Sequence, residues 1–140
     1  MDVAKKQDFT QVLGFKRESW IDGEGSISLD LQPWHLNGSG VVHGGVLVSM
    51  LDVATGMTGV FCTVKGNRRH SVTVSLTTNF IGQTRSGKLI ATGQRTASGR
   101  KIYFASAEIR TEQGALIATG SGVHRFRSGS ENPEGVPKTR

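Results

Sequence analysis

The segment from Gly44 to about Phe61 constrains the fold more than any other part of this sequence, because it is apolar on nearly every side and contains no proline. Its apolar side chains would cover most of a helix: Val46, Leu47, Met50, Leu51, Val53, Ala54, Met57, Val60 and Phe61. A helix that is apolar all round is buried in a protein interior. The sequence therefore predicts a helix over residues 44–61 that the rest of the chain must enclose.

One narrow face of this predicted helix carries small residues and a single acid. Gly45, Ser49, Asp52, Gly56 and Gly59 recur at helical intervals and share one side. Small side chains allow another backbone or a ligand to approach closely. A carboxylate among apolar residues loses hydration and needs a partner or a function. We interpret Asp52 as a candidate base, with an acid paired to backbone or to a neighbouring chain as the alternative.

Alternating apolar and polar residues predict strands on both sides of the helix. These strands cover residues 26–32, 71–81, 88–97, 100–111 and 115–126. The first is expected to be half-buried. In the second, the residues expected to face the core are Val72, Val74, Leu76, Thr78 and Phe80. With a turn over 82–87, the last four strands would form a meander. This pattern predicts an α+β fold, in which an antiparallel sheet wraps around one long central helix.

The chain length is typical of one domain. We expect that domain to span residues 1–126, with its core over 24–126 and with Phe15 and Trp20 covering the core. Residues 127–140 are rich in glycine, serine, proline and charge. We therefore expect this tail to be disordered.

The sequence also bears on the cellular compartment. A single cysteine, Cys62, excludes an internal disulfide, which suits a reducing environment. No apolar run has the character of a signal peptide or the length of a membrane span. These features favour a cytoplasmic protein that does not insert into a membrane.

The charge is distributed unevenly. The net charge is +6, and no Asp or Glu occurs from Val53 to Ala107. The same region holds eight cations: Lys65, Arg68, Arg69, Arg85, Lys88, Arg95, Arg100 and Lys101. A polyanion or a phosphorylated small molecule would be attracted here, and a solubilising surface is the alternative. Nucleic acid is disfavoured because few aromatic residues accompany the cations.

A glycine-rich loop, residues 37–45 (NGSGVVHGG), leads into the predicted helix. Amide groups at a helix N-terminus can bind a phosphate, or a carbonyl oxygen that gains negative charge during a reaction. The spacing fits neither the dinucleotide fingerprint nor a P-loop. A plain turn, fixed by a hydrogen bond from His43, is the alternative.

Two other classes of site are disfavoured. The sequence has no Gly-x-Ser-x-Gly elbow of the kind used by serine hydrolases. Its four histidines and one cysteine show no metal-ligand spacing. We therefore expect neither a bound metal nor a separate cofactor.

Five residues of the loop and helix stand in an order that resembles a known family: Asn37-(x)5-His43-Gly44-Gly45-(x)6-Asp52. With the strand at 71–80 and three further strands after it, the sequence resembles the hotdog-fold acyl-CoA thioesterases. It is most similar to the phenylacetate-pathway and 4-hydroxybenzoyl-CoA thioesterases with a His-Gly-Gly loop. The similarity covers roughly residues 24–126.

This resemblance implies a role for each motif residue in thioester hydrolysis. The amide of Gly44, helped by Gly45, would hold the thioester carbonyl oxygen. Asp52 would activate the attacking water or attack directly. Asn37 would position the water or the thioester. His43 would orient the loop or bind near the thioester.

The resemblance also implies a site shared between two chains. Thr73 would help to orient the nucleophile beside Asp52. Asp52 and Thr73 would come from one chain, and Asn37 and Gly44 from the other. We therefore expect a homodimer or a dimer of dimers.

Coenzyme A, as part of the substrate, would need cations for its phosphates. The resemblance implies contacts from four residues: Gly99, Arg100, Lys101 and Arg125. Arg85 and Lys88 are further candidates on charge alone. The leading hypothesis is an acyl-CoA thioesterase that releases a carboxylic acid and free coenzyme A. A non-catalytic acyl-CoA-binding module, and more weakly a hotdog hydratase, are the alternatives, and the acyl group stays open.

Overall fold

The computed structural model describes residues 7–138. Its helices are α1 (Phe9–Leu13) and α2 (Gly44–Met57), with a 3₁₀ turn at Pro33–His35. Its strands are β1 (Lys16–Ile21), β2 (Glu24–Asp30), β3 (Asn67–Arg68), β4 (Ser71–Phe80), β5 (Lys88–Ser98), β6 (Ile102–Thr111), β7 (Leu116–Phe126) and β8 (Val136–Pro137). No helix within 7–138 is both long and apolar enough to span a membrane.

Six strands form one antiparallel sheet in the order β1-β2-β5-β6-β7-β4. Helix α2 packs against five of them: β2, β4, β5, β6 and β7. Met50, Leu51 and Ala54 of the helix are fully buried against sheet residues such as Leu89 and Ile109. Phe15 and Trp20 pack on the edge of this core, as predicted. The predicted α+β architecture, a sheet around one central helix, is confirmed.

The central helix is shorter than predicted, because it ends at Met57 rather than near Phe61. The carbonyls at the end of the helix accept hydrogen bonds from other parts of the chain. Trp20 Nε1 donates to Met57 O at 2.8 Å, and Gly23 N donates to the cap residue, at Thr58 O, at 3.1 Å. These two hydrogen bonds would be lost if the helix continued beyond Met57. Apolar composition alone could not show where they form.

The predicted four-strand meander is wrong in one pairing. Strands β5, β6 and β7 form a meander, but β4 pairs with β7 at the sheet edge, not with β5. The segment after β4 is therefore a crossing connection, not a tight turn. Ile81 N and Gly82 N both donate to Ile117 O, and Val42 N donates to Thr84 O at 2.9 Å. These bonds carry the connection past the start of α2.

The N-terminal hairpin was only half predicted. The sequence pattern does not predict strand β1, because most of its six residues are exposed and several are charged. It covers one side of β2, whose Ser28 is 1% exposed and donates to Glu18 Oε1 at 2.5 Å. Strand β2 is therefore buried on both faces rather than half-buried.

The tail does not fit the expectation of disorder over residues 127–138. Strand β8 pairs with β3. Ser130 is fully buried, and its Oγ accepts from His70 N at 2.8 Å. Arg69 Nε donates to Ser130 O at 2.8 Å. Hydrogen bonds from side chains and backbone thus hold residues 127–138 in place, although this segment has few apolar residues. Residues 139–140 lie outside the described part of the chain.

Candidate functional site

Asp52 and Thr73 are joined directly: Thr73 Oγ1 donates to Asp52 Oδ1 at 2.5 Å. Asp52 lies on α2, half-buried, about two turns from the helix start. Thr73 lies near the start of β4. A hydroxyl that donates to a carboxylate orients it and leaves the second carboxylate oxygen free for chemistry. The pairing expected from the resemblance is therefore present within one chain.

A β-bulge turns Thr73 toward the helix. Thr73 lies opposite His124 and Ser75 lies opposite Val123, so Val74 has no opposing residue. An extra residue of this kind interrupts the alternation of side chains along a strand. Thr73 and Leu76 consequently both face α2, although they are three residues apart.

The bulge also corrects the predicted core face of β4. Val72 and Val74 were expected to point inward but are 38% and 57% exposed. Phe80 is also exposed, at 59%, and its ring lies beside Gly44 at the start of α2. Leu76 and Thr78 are half-buried, in agreement with the prediction.

Behind Thr73 lies a histidine that the sequence analysis did not single out. His124 on β7 is 1% exposed, and its ring stacks on Tyr103 at 5.1 Å between centroids. His124 Nε2 lies 2.8 Å from Thr55 Oγ1, and Nδ1 lies 3.5 Å from Thr73 Oγ1. Burial lowers the pKa of His124 below its usual 6.5, and the nearby charge of Asp52 opposes that shift. The ring is therefore neutral at neutral pH.

A signal for His124 did exist in the sequence. In β7, Gly120, Gly122 and Phe126 lie at buried positions on the same face as His124, while Ser121 and Arg125 are exposed. A histidine on the inward face of an alternating strand is placed in the core. What the sequence could not show is that this position lies opposite the bulge in β4.

At the start of α2, the glycine loop presents an unoccupied amide. His43 caps α2, with its Nδ1 accepting from Gly45 N at 2.8 Å. The Gly45 amide is therefore engaged and is not available to a substrate. The Gly44 amide has no acceptor within residues 7–138. An exposed N–H at a helix N-terminus can stabilise a carbonyl oxygen that gains negative charge.

Asn37 and Arg85 both hold this loop in place. Asn37 Oδ1 accepts from Ser39 N at 2.9 Å and from Val41 N at 3.3 Å, which leaves its amide NH₂ as the available donor. Arg85 Nη1 donates to the carbonyls of Ser39 and Gly40, at 3.2 and 3.3 Å. Arg85 was expected to bind coenzyme A on charge alone, but here its guanidinium is bonded to the loop.

Gly44 and Asp52 are too far apart to act on the same atom within one chain. They are eight residues apart on one helix, which separates them by about 12 Å along its axis. A carbonyl held by the first cannot contact the carboxylate of the second.

Four of the expected coenzyme A residues fall into one cluster. Gly99 and Arg100 line a cleft of about 510 Å³, and Lys101 and Arg125 line the neighbouring cleft. Lys88 lies at the opposite end of β5, about 33 Å from Ser98 in an extended strand. The structure therefore separates Lys88 from Arg100, Lys101 and Arg125.

Arg69 and Arg95 also line the cleft that contains Gly99 and Arg100, and both already have hydrogen-bond partners. Arg95 pairs with Asp22 at 3.0 Å. Arg69 is bonded to the carbonyls of Ser130 and Glu131 and lies over the Phe126 ring. The excess of positive charge seen in the sequence is therefore only partly available to a ligand.

Comparisons with known proteins identify the family of the chain. The thioesterase superfamily matches residues 39–118. The chain is 24% identical over 129 residues to the medium/long-chain acyl-CoA thioesterase YigI of Salmonella typhimurium, covering 83% of each chain.

Solved structures show the same fold. The PaaI protein of the phenylacetic acid degradation operon of E. coli superposes with a TM-score of 0.76 at 25% identity, over 86% of this chain and 85% of PaaI. A conserved protein of Pseudomonas aeruginosa gives a TM-score of 0.77 at 27% identity, over 87% and 95%. The chain therefore belongs to the thioesterase superfamily and is a thioester hydrolase with the hotdog fold.

Proposed function

We propose that this protein hydrolyses acyl-CoA thioesters to a carboxylic acid and free coenzyme A. The observation that carries the proposal is the Asp52–Thr73 pair, a half-buried carboxylate oriented by a hydroxyl, on the same helix as the unoccupied Gly44 amide. The name of the relative YigI supports an acyl-CoA substrate.

In the proposed reaction, the Gly44 amide holds the thioester carbonyl oxygen and stabilises the negative charge that forms on it. Asp52 either removes a proton from the attacking water or attacks the carbonyl carbon itself. In the first route the hydroxide adds to the carbonyl carbon. In the second the carboxylate adds, and water then hydrolyses the resulting acyl–Asp52 anhydride. In both routes the carbon–sulfur bond breaks, and coenzyme A is released as the thiol with a proton that comes from the water. The NH₂ of Asn37 donates to the water or to the thioester oxygen, and His43 keeps the loop in shape through Gly45.

We further propose that two chains form each site. The separation of about 12 Å between Gly44 and Asp52 supports this arrangement, since one carbonyl cannot contact both groups of a single chain. Asp52 and Thr73 of one protomer would then face Gly44 and Asn37 of its partner. A homodimer, or a dimer of dimers, follows.

The phosphates of coenzyme A are assigned to Arg100, Lys101 and Arg125. These side chains lie at the same end of the sheet, lining two adjoining clefts. Exposed cations of this kind attract phosphates through solvent, so their contribution should weaken with added salt.

The test is release of free thiol from a panel of aromatic, short-chain and long-chain acyl-CoAs. Turnover by the wild type that is lost in Asp52→Asn supports the proposal. Tight binding of coenzyme A without turnover of any acyl-CoA would instead indicate a non-catalytic binding module.

A mixing experiment tests the shared site. Asp52→Asn and Asn37→Ala chains would each be inactive as homodimers. Their hybrid would contain one site with both residues intact, so the purified hybrid should have about half of the wild-type activity. An unseparated mixture from co-expression, in which about half of the dimers are hybrids, should have about a quarter. An inactive hybrid of confirmed stoichiometry would place both residues in a site made by one chain.

A further inference from the structure

We propose that His124 is a positioning residue for Asp52, which acts by offering the Thr73 hydroxyl a second acceptor when Asp52 becomes neutral. This inference rests on the proposed function of the Asp52 site. His124 is not part of the loop–acid motif, and its side chain is buried behind Thr73, away from the substrate side.

We assign the tautomer of His124 from its hydrogen-bond partners. The Thr55 hydroxyl donates to the helix carbonyls of Leu51 at 2.8 Å and Asp52 at 3.2 Å. With its single proton given to the helix, Thr55 Oγ1 acts as an acceptor, and we assign the donor role in its 2.8 Å contact to His124 Nε2. In a neutral ring, Nδ1 then carries a lone pair. That lone pair points at Thr73 Oγ1, 3.5 Å away.

The Thr73 hydroxyl thus has two possible acceptors and one proton. While Asp52 is charged, the hydroxyl donates to Asp52 Oδ1, because a bond to a carboxylate is about twice as strong as a neutral one. When Asp52 takes a proton from the attacking water, that advantage is lost. The hydroxyl then turns to His124 Nδ1, and its oxygen can accept from the protonated carboxyl. No proton is gained or lost in this rotation.

The surroundings favour this role over a purely structural one. Within residues 7–138, the titratable groups that face the ring are Asp52 on α2 and Tyr103 on β6, while β4 presents Thr73. The Tyr103 hydroxyl donates to Gly56 O at 2.7 Å and is not directed at either nitrogen of the ring. Nδ1 therefore has Thr73 as its one polar neighbour in the described chain.

A kinetic double-mutant cycle separates the two roles. His124→Phe keeps the stacking on Tyr103 but removes the acceptor, and should lower kcat about five- to tenfold with KM unchanged. In a Thr73→Val background the same change should have no further effect, since the hydroxyl is already gone. Tyr103→Phe, which also removes a buried hydrogen bond but leaves both ring nitrogens, is the matched control. Equal losses in both backgrounds, or an equal loss in Tyr103→Phe, would overturn the proposal.

A second measurement does not depend on turnover. In protein labelled with ¹⁵N-histidine, the Nδ1 resonance of His124 should move with the same pH midpoint as the Asp52 carboxyl carbon, and should not follow it in Thr73→Val. An Nδ1 resonance that ignores this midpoint in the wild type refutes the role of His124. A wild type that turns over no acyl-CoA but shows the coupled titration would instead refute the proposed function alone.

Discussion

Thr73 reaches Asp52 because strand β4 contains one residue more than the strand opposite it. The extra residue, Val74, has no partner on β7, and the bulge lets Thr73 and Leu76 face the same helix. The pairing thus depends on an irregularity in a strand whose sequence alternates regularly. The position of one hydroxyl beside one carboxylate underlies the predictions below.

Replacing Asp52 by Asn should abolish hydrolysis while the fold survives. The amide cannot act as a base or a nucleophile, and loss of a positioned base typically costs about 10²–10⁴-fold in rate. Asn is nearly the same size and can still accept from Thr73, so the melting temperature should change little. Thiol release and thermal unfolding measure the two effects. An active Asp52→Asn would remove Asp52 from the chemistry.

Arg100→Ala should raise KM for acyl-CoA about two- to fivefold without changing kcat, because an exposed cation contributes modestly to binding. The effect should shrink at high salt. Lys88→Ala, at the other end of β5, is the comparison and should leave KM unchanged. A larger effect at Lys88 than at Arg100 would show that the phosphates bind at the opposite end of the sheet.

Acid should destabilise the fold through His124. Burial lowers the pKa of His124 in the folded protein, so the unfolded chain binds its proton first as the pH falls. The contribution is fully present above the unfolded value of 6.5 and is lost as the pH falls from there through the folded value. The slope is at most about 1.4 kcal/mol per pH unit. Urea unfolding between pH 8 and 5 should show this slope in the wild type and less of it in His124→Gln.

Ser130→Ala should destabilise the protein by about 1–3 kcal/mol. The substitution leaves the His70 amide without its acceptor beside a fully buried position. Ser128→Ala makes the same chemical change at an exposed side chain two residues earlier and should have little effect. Urea unfolding compares the two variants. Equal stability of both would mean that the tail does not contribute to the fold.

Features that repeat along the sequence were predictable, and features set by contacts between distant residues were not. The burial of α2 follows from apolar residues on all sides, and the three strands of the β5–β7 meander follow from alternation and turns. The pairing of β4 with β7, the end of α2 at Met57 and the order of the tail depend on particular long-range bonds. Composition carries no record of these bonds.

The candidate site divides in the same way. Asp52 and the glycine loop were identifiable because a lone acid in an apolar helix and glycines before its first turn are unusual locally. The hydrogen bonds of Arg85 to the loop and of the Gly45 amide to His43 can be seen only in the three-dimensional structure. Charge counting treats every cation as free, so it could not show that Arg85 is bonded to the loop.

The distance of about 12 Å between Gly44 and Asp52 has a consequence for how the protein is assayed. An enzyme whose reacting groups lie on two chains is active only while the chains are associated. Dilution dissociates it into inactive single chains. If each site is shared as proposed, specific activity should fall below a threshold enzyme concentration. Adding inactive Asp52→Asn, Asn37→Ala double-variant chains should lower it further, because every site of a hybrid lacks one of the two residues. Low specific activity at nanomolar enzyme concentration would therefore indicate dissociation of the chains, not a slow chemical step.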